Sequence, residues 1–116
     1  MDESDRAAIY RLHAGFCKTL ADANRLLIIS ELDKSELPVG ELARRLNLAQ
    51  PNVSKHLALL REQGLVAPRR EGANTYYRLT DHRISEAIRL LKEVQAEQIE
   101  KRMSLASGGR EAPSRA

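Results

Sequence analysis

Residues 47–65 read NLAQPNVSKHLALLREQGL. Val53, Leu57 and Leu60 recur at helical spacing and form one apolar stripe. Pro51 falls in the first turn, where a missing N–H costs little. Gly64 supplies a C-terminal stop, and Leu65 just beyond it can fold back on the last turn. Opposite the stripe lie Pro51, Lys55 and Ala58, flanked by Gln50, Asn52 and Ser54. That face is short, polar and singly positive. Small side chains let such a helix approach the floor of a DNA major groove, and Gln and Asn can pair with adenine edges.

The sequence on either side supports this reading. Upstream, Pro38 starts a helix with Val39, Leu42, Ala43 and Leu46 on one face, and residues 47–49 are a tight turn. Two short helices joined so closely, the second with a polar first turn, predict a helix-turn-helix. Ala49 stands where a Ser, Thr or Asp cap is usual. Downstream, the period changes. Residues 65–70 (LVAPRR) and 75–79 (TYYRL) predict two strands, with residues 71–74 as the turn and Gly72 and Asn74 tolerant of positive φ. The hairpin reads as the wing of a winged helix. Arg69 and Arg70 near its tip would face phosphates or the minor groove, although with Arg78 they also fit a solvated strand face. Tyr76 and Tyr77 point to opposite faces, one expected in the core and the other exposed.

Further out, residues 1–5 are polar and read as frayed. Ile9, Leu12, Phe16 and Leu20 predict an amphipathic helix from Arg6 to about Ala21. Asp22 or Asn24 can cap a second helix over residues 23–31, whose run of four apolar residues, Leu26 to Ile29, is also compatible with a strand. Residues 33–37 are a polar connection. Thr80 and Asp81 can cap a last helix with Ile84, Ile88, Leu91 and Val94 as its apolar line, fading near Met103. The expectation is a mainly α, α+β winged helix-turn-helix, dimeric, with about five helices and a two-stranded hairpin, over residues 1–103. Residues 104–116 read as a disordered tail.

A length of 116 residues makes one domain the default. Hydrophobic residues are 42% of the chain and aromatics 3%, so the core must come from Leu, Ile, Val and Ala. Such a chain buries a limited fraction of its surface, and oligomerisation would add to it. A net charge of +3 is weak evidence for nucleic acid by itself. One cysteine excludes an intramolecular disulfide framework. With no signal segment and no membrane-length apolar run, a soluble cytoplasmic protein is expected. No glycine-rich phosphate loop, hydrolase metal pair or nucleophile motif is present, and Asp81 and His82 are adjacent, so they do not face each other on a helix. The chain is expected to be neither an enzyme nor dependent on a cofactor.

Over residues 20–79 the sequence resembles the ArsR/SmtB family of bacterial dimeric winged-helix repressors. The resemblance is carried by LADANRL (20–26), ELA (41–43), QPNVSKHL (50–57), LREQGLV (60–66), REG (70–72) and YYRL (76–79), in order and at family spacing. It implies a homodimer built on the first and last helices, binding imperfect inverted repeats in promoter DNA and commonly released by an effector. The family's sensing schemes are incomplete here. Its two third-helix cysteines fall at Pro38 and Gly40. Its last-helix site keeps Asp81 and Glu97, but Arg83 and Val94 replace the two histidines, with His82 one residue out of place. Two carboxylates without imidazoles make a poor zinc site. Sulfur sensing in the family uses two cysteines, and this chain has one.

The residues expected at DNA are Gln50, Asn52, Ser54, Lys55, His56, Arg69 and Arg70. His56 lies nearer the apolar stripe than Lys55, and pinning the helix suits it as well as touching DNA. His13 and Cys17, four apart, share a face of the first helix and could begin a soft-metal or redox site with a ligand such as His82. The bland alternative is a buried thiol beside an interface histidine. The function expected is a homodimeric, sequence-specific transcriptional repressor of double-stranded operator DNA, its inducer unspecified. The alternatives are a winged-helix protein-interaction module and a sensor built on His13 and Cys17.

Overall fold

The buried apolar core is drawn from the middle of the chain, between Ile28 and Val66. The computed structural model describes residues 2–107, as five helices and three short strands. Helices α1 (Glu3–Leu20) and α2 (Ala23–Lys34) lead into strand β1 (Leu37–Pro38). Then come α3 (Val39–Leu46), α4 (Gln50–Glu62), β2 (Val66–Glu71), β3 (Asn74–Leu79) and α5 (Arg83–Ala106). The chain forms two compact units, one up to His82 and one from Arg83 onward.

In the first unit, α2 contributes Ile28, Ile29 and Leu32 to the core, and α3 contributes Leu42 and Ala43. From α4 come Val53, Leu57 and Leu60, the three residues of the predicted stripe. Leu37, Leu65 and Val66 close the core on the sheet side. No aromatic residue is among these buried side chains, as the composition requires.

Helix ends follow local chemistry. Residues 2–5, expected to be frayed, form the cap and first turn of α1, and Met1 lies outside the described residues. Asp2 accepts from the Asp5 backbone N–H at 2.9 Å and the Asp5 carboxylate accepts from the Asp2 N–H, so a capping box starts α1 at Glu3. Asp22, one of the two expected caps, accepts from Arg25 N–H at 3.1 Å, and α2 runs three residues past its expected end. That backbone bond is the main reason the Asp22 carboxyl lies below its ordinary pKa. Asn47 ends α3 in the left-handed region, at φ 56°. After α4, Gly64 at φ 76° lets its N–H reach Arg61 O at 2.9 Å and the Leu65 N–H reach Leu60 O at 2.9 Å. This pair of bonds, with Leu65 turned into the core, is a Schellman stop.

The sheet differs from the expected two-stranded wing. β1, hidden in what read as a polar connection, pairs antiparallel with β3, giving the order β1-β3-β2. A two-residue strand carries no periodicity, so pattern could not reveal it. The hairpin is tighter than expected: Glu71 pairs with Asn74, leaving Gly72 and Ala73 as the turn. Gly72 takes positive φ, 62°, and Asn74 does not, because Asn74 is already in the strand. Leu65 belongs to the helix stop rather than to β2.

The Thr80 hydroxyl donates to Gly64 O at 2.7 Å and Leu65 O at 3.3 Å, tying the end of β3 to the end of α4. Taken by itself, α5 is a 24-residue helix with no buried residue, and its expected apolar line is solvent-facing from Leu91 onward. It continues through Ala106, past the expected fade at Met103. The tail expected over residues 104–116 therefore begins as helix, and residues 108–116 lie outside the described part.

Candidate nucleic-acid interface

α3, the three-residue turn and α4 form the helix-turn-helix, and β2 and β3 form the wing beside it. Burying Val53, Leu57 and Leu60 rotates the opposite face of α4 outward. Gln50, Pro51, Asn52, Ser54, Lys55 and Ala58 are all exposed. Lys55 has no ion-pair partner among the described residues. No side chain caps α4, since Ala49 has nothing to offer, and Pro51 removes one first-turn donor. The Asn52 and Val53 N–H groups both turn back to Ala49 O, at 3.0 and 3.1 Å, so what the helix start offers beside Gln50 and Asn52 is the positive end of its dipole. The Gln50 Oε1 stands 3.7 Å from where a Cβ on Gly40 would be, so Gln50 lies against the start of α3.

His56 is drawn away from this face. Its Nδ1 accepts from Arg25 Nη1 at 3.2 Å, and Arg25 Nε donates to Thr19 O at 2.5 Å. Because guanidinium only donates, Nδ1 must be unprotonated and the ring proton sits on Nε2. Arg25 therefore joins the end of α1 to α4 through His56, the helix-pinning alternative of the two.

Pairing divides the sheet into two faces. Val66, Pro68 and Arg70 stand opposite Leu79, Tyr77 and Thr75, so they share one face. Arg69 stands opposite Tyr76 on the other. The Arg69 Nε donates to Glu36 at 2.7 Å and its Nη1 to Glu71 at 3.1 Å, while its guanidinium lies 5.0 Å from the Tyr76 ring centroid. The hydrogen bonds it donates to Glu36 and Glu71 hold its pKa above the ordinary value. Arg69 thus braces the wing with its charge compensated. Arg70 is exposed, with no ion-pair partner among the described residues. Tyr76 and Tyr77 are both half-buried, neither wholly core nor wholly exposed, because each is covered from its own side. Arg78 is exposed and reaches Leu79 O at 3.4 Å.

One groove was not legible in the sequence. Ser54, Leu57, Ala58, Arg61 and Glu62 of α4 and Tyr77 of β3 enclose about 350 Å³. Arg61 and Tyr77 lie in stretches that carry the resemblance, but nothing in those stretches brings them together; the pairing of β3 with β2 does.

His13 and Cys17 do meet, with Sγ 3.6 Å from Nε2, and Phe16 stacks near His13 at 6.4 Å. The thiol is exposed rather than buried in the protomer. His82 does not join them; its Nδ1 lies 3.2 Å from Asp33. Among the described residues no group of three or more His, Cys, Asp or Glu side chains could hold a metal ion. Likewise, no helix of the described part is long and apolar enough to cross a membrane.

An outward polar helix beside a hairpin wing defines a winged helix-turn-helix domain of the DNA-binding class. Residues 22–67 match the model of the arsR family of bacterial regulatory proteins. A biofilm growth-associated repressor of Xylella fastidiosa is 36% identical over 78 residues, 67% of this chain and 68% of that protein. The nodulation protein NolR of Rhizobium meliloti is 45% identical over 64 residues, 55% of this chain and 52% of that one. Among solved structures, a homodimeric winged helix-turn-helix DNA-binding domain from Mycobacterium bovis superposes with a TM-score of 0.77 at 30% identity. The match covers 86% of this chain and 93% of that one. The chain belongs to the arsR family, although its match spans about half the length of NolR.

Proposed function

We propose that this chain is a homodimeric transcriptional repressor that binds an inverted-repeat operator, with α4 in the major groove. The observation that carries this reading is the exposed polar half of α4, Gln50 to Lys55, set on a core that fixes its outward rotation. Gln50, Asn52 and Ser54 would read base edges, and Lys55 and Arg70 would hold phosphates. His56 and Arg69 support this surface from behind. Two such helices in a dimer would enter successive major grooves about 34 Å apart. The exposed apolar side chains of α1 and α5 supply the dimer contact. A dimer seated on a promoter blocks access to it, which is repression by occupancy. The protein works in the cytoplasm, where its DNA is, and reading DNA this way needs no cofactor.

The test is fluorescence anisotropy on a duplex selected from a random library, compared with a scrambled duplex, across a salt series. We expect tight, salt-dependent binding with clear preference for the selected site. Lys55→Ala is expected to weaken both duplexes alike and flatten the salt slope by about one unit. Equal, weak binding to both duplexes by the unmodified protein would overturn the reading and favour a protein-interaction module.

A further inference from the structure

We propose that the groove between α4 and β3 is a phosphate seat, holding one strand of the operator backbone between the reading helix and the wing. The proposal rests on the DNA-binding reading above and adds two contacts, Arg61 and Tyr77, that were not among the residues expected at DNA.

Three observations support it. First, the groove is lined by donors suited to a phosphodiester: the Ser54 hydroxyl, the Arg61 guanidinium and the Tyr77 phenol, above the apolar Leu57 and Ala58. Its volume of about 350 Å³ leaves room for a phosphodiester with its flanking sugars. Second, the cation that lines it is uncompensated: Arg61 has no ion-pair partner among the described residues. Nor have Lys55, on the same helix, and Arg70, which shares the sheet face of Tyr77. On the opposite face, Arg69 is held by Glu36 and Glu71. The wing therefore carries its free charge on the sheet face of Tyr77 and its neutralised charge on the other. Third, the same wall of α4 carries Ser54 and Ala58, so a strand lying in the groove would continue the base-reading face and not a separate surface.

Glu62 also lines the groove, and it is the one carboxylate there. It opposes a phosphate, and we expect its role to be a limit on affinity. This gives the proposal a consequence that a merely structural groove lacks: neutralising Glu62 should tighten binding.

The experiment measures anisotropy of the selected and scrambled duplexes with Arg61→Gln, Tyr77→Phe and Glu62→Gln, across salt. Arg61→Gln should weaken both duplexes about tenfold at moderate salt and flatten the slope by about one unit. Tyr77→Phe should weaken both about two- to tenfold without changing the slope, since it removes a neutral donor. Glu62→Gln should tighten both and steepen nothing else in the sequence preference. A duplex carrying one methylphosphonate per half-site would then locate the contact: at one position, its penalty should vanish in Arg61→Gln. Circular dichroism keeps a folding defect apart from a lost contact. If the unmodified protein prefers its selected site while Arg61→Gln and Tyr77→Phe bind as it does, the seat is overturned and the DNA reading stands. If the unmodified protein shows no preference, both fall together.

Discussion

At the scale of single residues, His56 shows how a side chain on α4 can fix the helix in place from its inner side. Its Nδ1 accepts a hydrogen bond from Arg25, whose Nε is spent on the last turn of α1. The pair is half-buried, so losing the acceptor leaves a charged donor poorly satisfied. Asparagine places Oδ1 close to where Nδ1 sits. His56→Asn should therefore keep most of the stability, whereas His56→Leu should lower the unfolding free energy by about 1–2 kcal/mol in urea titrations. Equal losses in both variants would show that the hydrogen bond contributes nothing and the ring acts by packing alone. Arg69 shows the opposite surprise. Two adjacent arginines looked equivalent in the sequence, yet strand alternation gives them opposite faces and only Arg69 finds carboxylates, from Glu36 and Glu71. Nothing in the local sequence could place Glu36 beside Arg69, thirty-three residues away, because that meeting depends on β1 pairing with β3.

At the scale of elements, α3 is a short helix held from outside. Glu41 accepts from Arg44 and from Arg45 Nε at 2.9 Å, and Arg45 Nη1 reaches Glu31 of α2 at 3.4 Å. These bonds, Arg44's first and Arg45's second, lower the Glu41 pKa from 4.5 to about 2. A carboxyl lowered on folding contributes stability in full above its unfolded pKa and loses it as pH falls through the folded one. The Glu41 contribution should therefore be complete above about pH 4.5 and vanish toward pH 2. In thermal unfolding, Glu41→Gln should melt below the unmodified protein at pH 7, and the two should converge near pH 2. A constant gap across that range would mean that Glu41 acts by shape and not by charge. The elements themselves were largely legible. Val53, Leu57, Leu60 and Gly64 place α4 and its stop, and the periodicity of α1 and α5 gives their existence. What escaped was whatever depended on contact or on very short structure: the capping box that starts α1 at Glu3, the two residues of β1, and the groove closed by Tyr77. Of the candidate site, the polar face of α4 was readable because burial of its stripe fixes it. The division of labour among Arg61, Arg69 and Arg70 was not, because it follows from which strand faces which helix.

At the scale of the whole molecule, the protomer leaves apolar side chains of two helices in water. On α1, Ile9, Tyr10 and Leu12 are exposed, the last by 75%. On α5, Leu90, Leu91, Val94, Ile99, Met103 and Leu105 are exposed, and the helix buries nothing of its own. Scattered exposed leucines need no explanation, but two helices of this length without one buried residue do. In the proposed dimer a second copy would supply the missing cover, and two-fold symmetry would space two α4 helices for an inverted repeat. Reading DNA would then depend on a surface that never meets it. Leu91→Asp places a charge where apolar contact is expected and should convert the dimer to a monomer at micromolar concentration, as seen by light scattering. The monomer should keep its helical signal, because the core between Ile28 and Val66 is untouched. Its affinity for a single half-site should be that of one unmodified reading head, while its affinity for the full inverted repeat should drop to the half-site value. The apparent melting temperature of the unmodified protein should also rise with concentration, and that of the variant should not. A Leu91→Asp protein that stays dimeric would move the interface off this face of α5. A monomer that still binds the full repeat as tightly as before would break the link between dimerisation and operator recognition.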